Sequence, residues 1–322
     1  MRAIPQIADQ QYGTFSYQQA LQAGWTRSAL HHAVRSGRLR QPRRSVFVCT
    51  EALDGIGPVG ARRRHGVATS AALLVTPAAV ASHASAAVLV GLPVWRLPDR
   101  PGITVPPRHT GDAGAVHLHR AMLPGRYLRR TGLLTRTSIA RTFCDLARER
   151  GIENAVVLAD AALHHGVVQP QDLELCRRAC RRWPGIRRAE AALDLVDHRS
   201  ESPLETVSRL RLATVGIPTP LLQPVLVAAD GTWLGRPHFY WDEFGVVGEV
   251  DGKVKYEPAA GPQALWDEKL RQERFEDTGL IVVRWGRAQL GDIGHLAGRL
   301  RNAFARGQRR LANERRWMAR PA

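Results

Sequence analysis

The run Glu249-Val250-Asp251-Gly252-Lys253 concentrates the residue types that phosphodiester hydrolysis needs. In a strand, positions 249, 251 and 253 point to the same side, so two carboxylates and an ammonium converge there. That like-charge approach is costly unless a divalent cation offsets it, and carboxylate oxygens are the ligands Mg²⁺ prefers. On this reading Glu249 and Asp251 hold Mg²⁺ or Mn²⁺, the metal polarises a scissile phosphate, and Lys253 orients or deprotonates the attacking water. Glu201 and Glu205, one helical turn apart, can join the site. Glu268, Lys269, Arg271 and Gln272 can approach it from a later helix. The plain alternative is an exposed charged turn that needs no cofactor.

The elements that must position these groups follow from turn and periodicity signals. Glu201-Ser202-Pro203-Leu204-Glu205 opens a helix to about Val215, stopped by Gly216 and Pro218. Gln223 to Ala229 reads as a strand, Asp230-Gly231 as a hairpin turn and Trp233 to Trp241 as the returning strand. A third strand, Val246 to Val250, precedes a helix over 263–277. A buried strand over 280–285 and a last helix from about Ile293 complete the order. This order suits a mixed sheet with a helix on each face.

The blocks Glu201 to Glu205, Arg236-Pro237-His238-Phe239, Glu249 to Lys253, Glu268-Lys269-Leu270-Arg271 and Val282-Val283-Arg284-Trp285 give residues 201–290 a resemblance. They resemble the small endonuclease-like domain related to very-short-patch-repair nucleases, within the PD-(D/E)xK superfamily. The resemblance implies that Glu249 and Asp251 are metal ligands and that Lys253 lies beside the reacting phosphate. It also places an Asp, which bridges the metal in active members, where this chain has His238. Imidazole is a poor Mg²⁺ ligand but tolerates Mn²⁺ and other transition metals. Three readings stay open: the domain has lost cleavage and kept a DNA-binding or structural role, Asp242 or Asp230 takes the missing place, or His238 works with a softer metal.

The N-terminal fifty residues carry a different chemistry. Ser16 can cap a helix to about Ala23, Gly24 permits a tight turn, and Thr26 can cap a second helix through Ser36. On that second helix Arg27, His31 and Arg35 share one face, with Ser28 and His32 beside it, as a recognition helix requires. Leu39 to Val48 reads as a short hairpin wing with Arg40, Arg43 and Arg44 at its tip. The plain alternative is an ordinary solvated helix face. Residues Gly13 through Val48, on Gly24-Trp25-Thr26-Arg27-Ser28-Ala29-Leu30 and Ser36-Gly37-Arg38-Leu39, resemble the winged helix of type IV antitoxins of the AbiEi family. Further blocks, Ser82 to Ala87 with Gly91-Leu92-Pro93 and Thr137 to Ala147, look like the core of that family downstream of the winged helix.

Charge agrees with a polyanionic partner. The 322 residues hold 46 Lys+Arg against 29 Asp+Glu, a formal charge of +17. Net charge is +6 over residues 1–50, +8 over 51–195, −4 over 196–298 and +7 over 299–322. Of the basic residues only three are lysine, Lys253, Lys255 and Lys269, all in the acidic segment. Where charge alone matters Arg suffices, but a deprotonatable ammonium must be Lys.

Residues 67–195 alternate Ala-rich helical patterns with short β-like runs. Arg141 and Asp145 are spaced to pair on a helix surface. His83, His117 and His119 read as structural or phosphate-contacting rather than catalytic. The pairs and triplets Arg62-Arg63-Arg64, Arg129-Arg130, Arg177-Arg178, Arg181-Arg182 and Arg187-Arg188 either extend an electrostatic footprint along a duplex or form solvated faces. Four cysteines make no disulfide framework, although Cys176 and Cys180 can ligate zinc with His164 and His165. The N-terminus lacks the apolar run of a signal peptide, and Val67 to Leu92 reads as core rather than a bilayer span, so the expected location is the cytoplasm. Residues 299–322 are either a docked helix or a frayed basic arm.

The expected architecture is an α+β multidomain chain. It comprises a winged helix-turn-helix over 1–50, an α-rich antitoxin-like middle domain over 51–195, a mixed-sheet α/β restriction-endonuclease-like domain over 196–298 and a basic tail over 299–322. Double-stranded DNA is the expected partner, joined by a cognate toxin protein on the antitoxin reading, and no membrane is involved. Two functions follow: a regulator of the antitoxin type with a degenerate nuclease fold, or an active metal-dependent DNA endonuclease.

Overall fold

The computed structural model describes residues 3–111, 114–149, 151–251, 262–311 and 317–320, with the backbone alone for 262–268 and 320. The chain divides into two compact units, Met1–Val196 and Asp197–Ala322.

The first unit begins with β1 (Thr14–Ser16), α1 (Tyr17–Gln22), α2 (Arg27–Arg35), β2 (Leu39–Arg43) and β3 (Val46–Cys49). Ser16 Oγ accepts from the Gln19 N–H while the Gln19 side chain accepts from the Ser16 N–H, a reciprocal cap that starts α1. Thr26 Oγ1 accepts from the Ala29 N–H and starts α2. Phe15, Ala20, Trp25, Leu30, Ala33, Leu39 and Phe47 form the core beneath. The sheet order is β1-β3-β2, all antiparallel.

The same unit continues through α3 (Gly57–Val75), β4 (Val80–Ala81), α4 (His83–Leu89), β5 (Gly102–Val105), β6 (His117–Arg120), β7 (Leu128–Thr131), β8 (Leu134–Thr137), α5 (Ile139–Glu149), α6 (Ile152–His164), α7 (Pro170–Ala179) and α8 (Ile186–Leu193). Five strands make a mixed sheet in the order β6-β5-β4-β8-β7. The N-terminal segment is tied to α3. Tyr12 lies so close to Gly66 that a Cβ there would sit 2.0 Å from its ring, and Thr14 Oγ1 is 2.7 Å from Ser70 Oγ.

Helix α5 packs against α4, α6, α7 and α8, and every residue from Ile139 to Ala147 is buried. This corrects the placement of Arg141 and Asp145. They do pair, with Arg141 Nε 2.9 and 2.8 Å from the two Asp145 oxygens, but their side chains are only 4% and 2% exposed. The i, i+4 spacing dictates the pair, and the helices around α5 dictate its burial.

The second unit contains α9 (Pro203–Thr214), β9 (Leu221–Leu222), β10 (Val225–Ala228), β11 (Trp233–Gly235), β12 (Phe239–Trp241), β13 (Val246–Asp251), α10 (Pro262–Asp277), β14 (Ile281–Gly286), α11 (Ile293–Leu311) and β15 (Trp317–Arg320). One sheet runs β14-β13-β12-β9, with β13 and β14 parallel; a second runs β11-β10-β15. The stretch Trp233 to Trp241 is therefore two strands in different sheets rather than one. The break falls at Gly235-Arg236-Pro237, where Pro237 has no N–H for a ladder and a Cβ on Gly235 would lie 2.8 Å from the Phe275 ring.

Of the two alternatives for the C-terminal residues, the docked one holds. Leu300, Ala303 and Phe304 of α11 are buried, Phe304 stacks on Phe244 at 4.2 Å, and β15 pairs antiparallel with β10. Among the described residues, no helix is long and apolar enough to cross a membrane.

Candidate functional site

Two surfaces collect the residues singled out by their chemistry, one in each unit. In the first unit the caps of α2 fix the phase of that helix, so Leu30 and Ala33 turn inward and Arg27, Ser28, His31 and Arg35 are exposed. The wing turn places Arg40 and Arg44 in solvent and Arg43 half-buried, with Ser45 at a left-handed φ of 63°. Arg27, His31 and Arg35 share a cleft of about 410 Å³ with Gln41 and Arg44, floored by Leu30 and Phe47. Helix face and wing tip therefore present guanidinium and imidazole donors to one concavity. That is the arrangement by which a winged helix brackets phosphates and base edges.

The basic clusters outside this cleft are in part tied down. Arg62 donates to the carbonyls of Gly91 and Leu92 at 2.7 and 2.9 Å, and Arg177 and Arg178 pair with Glu174. Such residues complete local structure.

In the second unit, the antiparallel β12–β13 register, with Phe239 opposite Gly248, carried one residue beyond the start of β12 brings His238 opposite Glu249. His238 Nδ1 lies 2.5 Å from Glu249 Oε2, and Arg271 Nη2 reaches Glu249 Oε1 at 3.3 Å. Neither contact is aligned as a hydrogen bond, and among the described residues the two oxygens have no other donor, although the Glu249 side chain is 1% exposed. The Val250 N–H also faces Nδ1, at 3.2 Å, a geometry for a bare nitrogen. A single Nδ1 cannot accept there while donating to the carboxylate, and the much shorter ion pair favours the proton on Nδ1. Burial works against the imidazolium, but the Glu249 carboxylate, with Glu205 beyond it, outweighs burial and raises the His238 pKa.

Glu205 is saturated. Its oxygens accept from Ser202 Oγ at 2.7 Å, Gln223 Nε2 at 2.9 Å and the Glu201 N–H at 3.0 Å, while His238 Nε2 stands 3.9 Å away. It thus braces Ser202, the N-cap of α9, and anchors Gln223. Asp251 is half-exposed and faces Arg284 Nη1 at 3.4 Å. Lys253 lies outside the described residues, as do the side chain of Glu268 and Lys255. Lys269 is exposed, 3.7 Å from Glu273. Asp242 accepts from the Tyr240 hydroxyl and Asp230 from the Thr232 N–H, so both carboxylates have local work. The structure thus brings together Glu205, His238, Glu249 and Arg271, and sets Asp251 with Arg284.

Among the described residues, two groups of three His, Cys, Asp or Glu side chains have ligand atoms within 4.8 Å of one another. Neither includes Glu249 or Asp251. One joins Cys176 and Cys180 to Cys144 of α5, all buried, whereas His164 and His165 lie edge-on to each other. The other joins His83, His119 and Glu149. Cys144 and Glu149 carried no spacing signal, because they reach their partners through the packing of α5.

Comparison with known proteins bears on these surfaces. Residues 2–49 match a family described as transcriptional regulator, AbiEi antitoxin. Two uncharacterised Mycobacterium tuberculosis proteins, MT2308 of strain CDC 1551 and Rv2248 of strain H37Rv, are 28% identical over 182 residues, 56% of this chain. The match spans 65% of the length of those relatives. A crystal structure of the RV2827C protein from Mycobacterium tuberculosis aligns at 20% identity and a TM-score of 0.37, covering 60% of this chain and 78% of that one.

Proposed function

We propose that the protein is a DNA-binding transcriptional regulator of the AbiEi antitoxin kind, with a toxin protein as cognate partner. Its C-terminal unit, on this proposal, is a very-short-patch-repair-like, PD-(D/E)xK-type module that no longer cuts. The observation that carries the DNA-binding part is the shared cleft of α2 and the wing, lined by Arg27, His31, Arg35 and Arg44. It falls inside the segment that matches the regulator family.

The non-cleaving part rests on the surroundings of Glu249. A Mg²⁺ or Mn²⁺ ion there would have to displace both the His238 imidazole and the Arg271 guanidinium from a 1%-exposed carboxylate. This donor set does not fit a hard dication, which prefers several oxygens and retained waters. No hydrolytic step is assigned to the site. The second reading, an active endonuclease, is favoured by the convergence of Glu205, His238 and Glu249.

Incubating the purified chain with supercoiled plasmid and Mg²⁺ or Mn²⁺, beside Asp251→Ala and Lys253→Ala variants, separates the two. The regulator reading expects duplex binding without nicking by parent or variants. Nicking by the parent that Asp251→Ala abolishes would establish the endonuclease.

A further inference from the structure

We propose that His83, His119 and Glu149 form a binding site for a first-row divalent transition-metal ion such as Zn²⁺. The three side chains come from three elements: His83 starts α4, His119 lies in β6, and Glu149 ends α5. His83 Nε2 is 3.3 Å from Glu149 Oε2, and His119 Nδ1 is 3.3 Å from Glu149 Oε1. Ligand atoms held about 2.0–2.1 Å from a tetrahedral ion are roughly 3.3 Å apart; each imidazole nitrogen stands at that distance from one Glu149 oxygen, and one ligand atom from each residue lies within 4.8 Å of the others. The imidazole rings stack at 3.8 Å with an interplanar angle of 18°, turning one nitrogen of each toward the carboxylate.

Three surrounding features suit a ligand site better than a simple surface ion pair. The other nitrogen of His83, Nδ1, lies 3.0 Å from Ser82 Oγ, which itself accepts from Thr104 Oγ1 at 2.9 Å. A hydrogen bond on Nδ1 holds the ring and leaves the Nε2 lone pair for a metal. The backbone of His83 is left-handed, with φ at 53°, a conformation that costs free energy in a residue with a Cβ and is retained where the surroundings impose it. The trio also borders a cavity of about 530 Å³ shared with Arg96, Asp99 and Asn154, which gives the remaining coordination positions room for water or a small ligand. Two imidazoles and one carboxylate select borderline cations over Mg²⁺ and Ca²⁺, which favour all-oxygen shells.

The proposal is independent of the DNA-binding reading, and its test uses the full chain stripped of metal. Co²⁺ titration followed by visible absorption should show one tight equivalent whose spectrum lacks thiolate charge transfer. His119→Gln and Glu149→Gln should each weaken that equivalent about tenfold or more, while Cys176→Ser leaves it intact. Glu149 has a 41%-exposed side chain, so Glu149→Gln retains the fold even if His119→Gln does not. Zn²⁺ should compete the Co²⁺ signal away. The proposal is overturned if the parent binds no Co²⁺, if Glu149→Gln titrates like the parent, or if the bands carry thiolate charge transfer that Cys176→Ser removes.

Discussion

His238, the residue before β12, faces Glu249 of β13, with Nδ1 2.5 Å from Oε2 and the carboxylate almost sealed from solvent. The pair ties the imidazole to a buried carboxylate, which gives His238 a structural role. Removing the ring leaves a buried carboxylate that still faces Arg271 Nη2 at 3.3 Å. His238→Ala should therefore destabilise the second unit by about 2–4 kcal/mol. Urea unfolding followed by tryptophan fluorescence checks this, because Trp241 and Trp285 are buried in that unit. An unchanged midpoint would show that Glu249 does not depend on the imidazole.

The Arg141–Asp145 pair makes a similar prediction for the first unit. Arg141 also lies over the Trp183 ring at 4.1 Å, and Asp145 also faces Arg148 at 3.5 Å. Asp145→Ala should cost about 3–5 kcal/mol, since it strands a buried guanidinium. The Arg141→Ala/Asp145→Ala double variant should lose less than the two single losses combined. Additive losses in chemical denaturation would mean that the two side chains are not coupled.

Acid should weaken the first unit through His65. Burial pushes this histidine down to about 4, with Nε2 2.8 Å from Ser85 Oγ. The ring is neutral when folded, whereas the unfolded chain takes up a proton below about pH 6.5. Stability is thus unaffected by this group above pH 6.5 and falls as pH drops toward 4, by at most about 3 kcal/mol. Urea midpoints between pH 7 and pH 5 should decline more steeply in the parent than in His65→Gln. Equal slopes would remove His65 as a cause.

Local chemistry was readable from the sequence; tertiary partnership was not. Ser16 and Thr26 announce their helices because an N-cap needs only a side-chain oxygen three residues before an N–H. Arg27, His31 and Arg35 share a face because the helical period demands it. By contrast, Trp233 to Trp241 reads as one strand, since a switch between sheets depends on which neighbours receive each half. Arg141 and Asp145 have surface spacing, yet four helices cover them. Cys144 joins Cys176 and Cys180, and Glu149 joins His83 and His119, through the packing of α5, which no spacing encodes. In the second unit the alignment of His238 with Glu249 needs the ladder register as well as the motif.

DNA binding by the first unit is the central claim, and the salt dependence of duplex binding tests it most directly. Fluorescence anisotropy on a labelled duplex, repeated across salt concentrations, gives the slope of log affinity against log salt. Each phosphate contact contributes about −0.9 to that slope. Arg27→Ala/Arg35→Ala, two exposed side chains of the shared cleft, should weaken binding and make the slope shallower by about 2. Binding with the parent's affinity and slope would contradict the account and take α2 out of the interface.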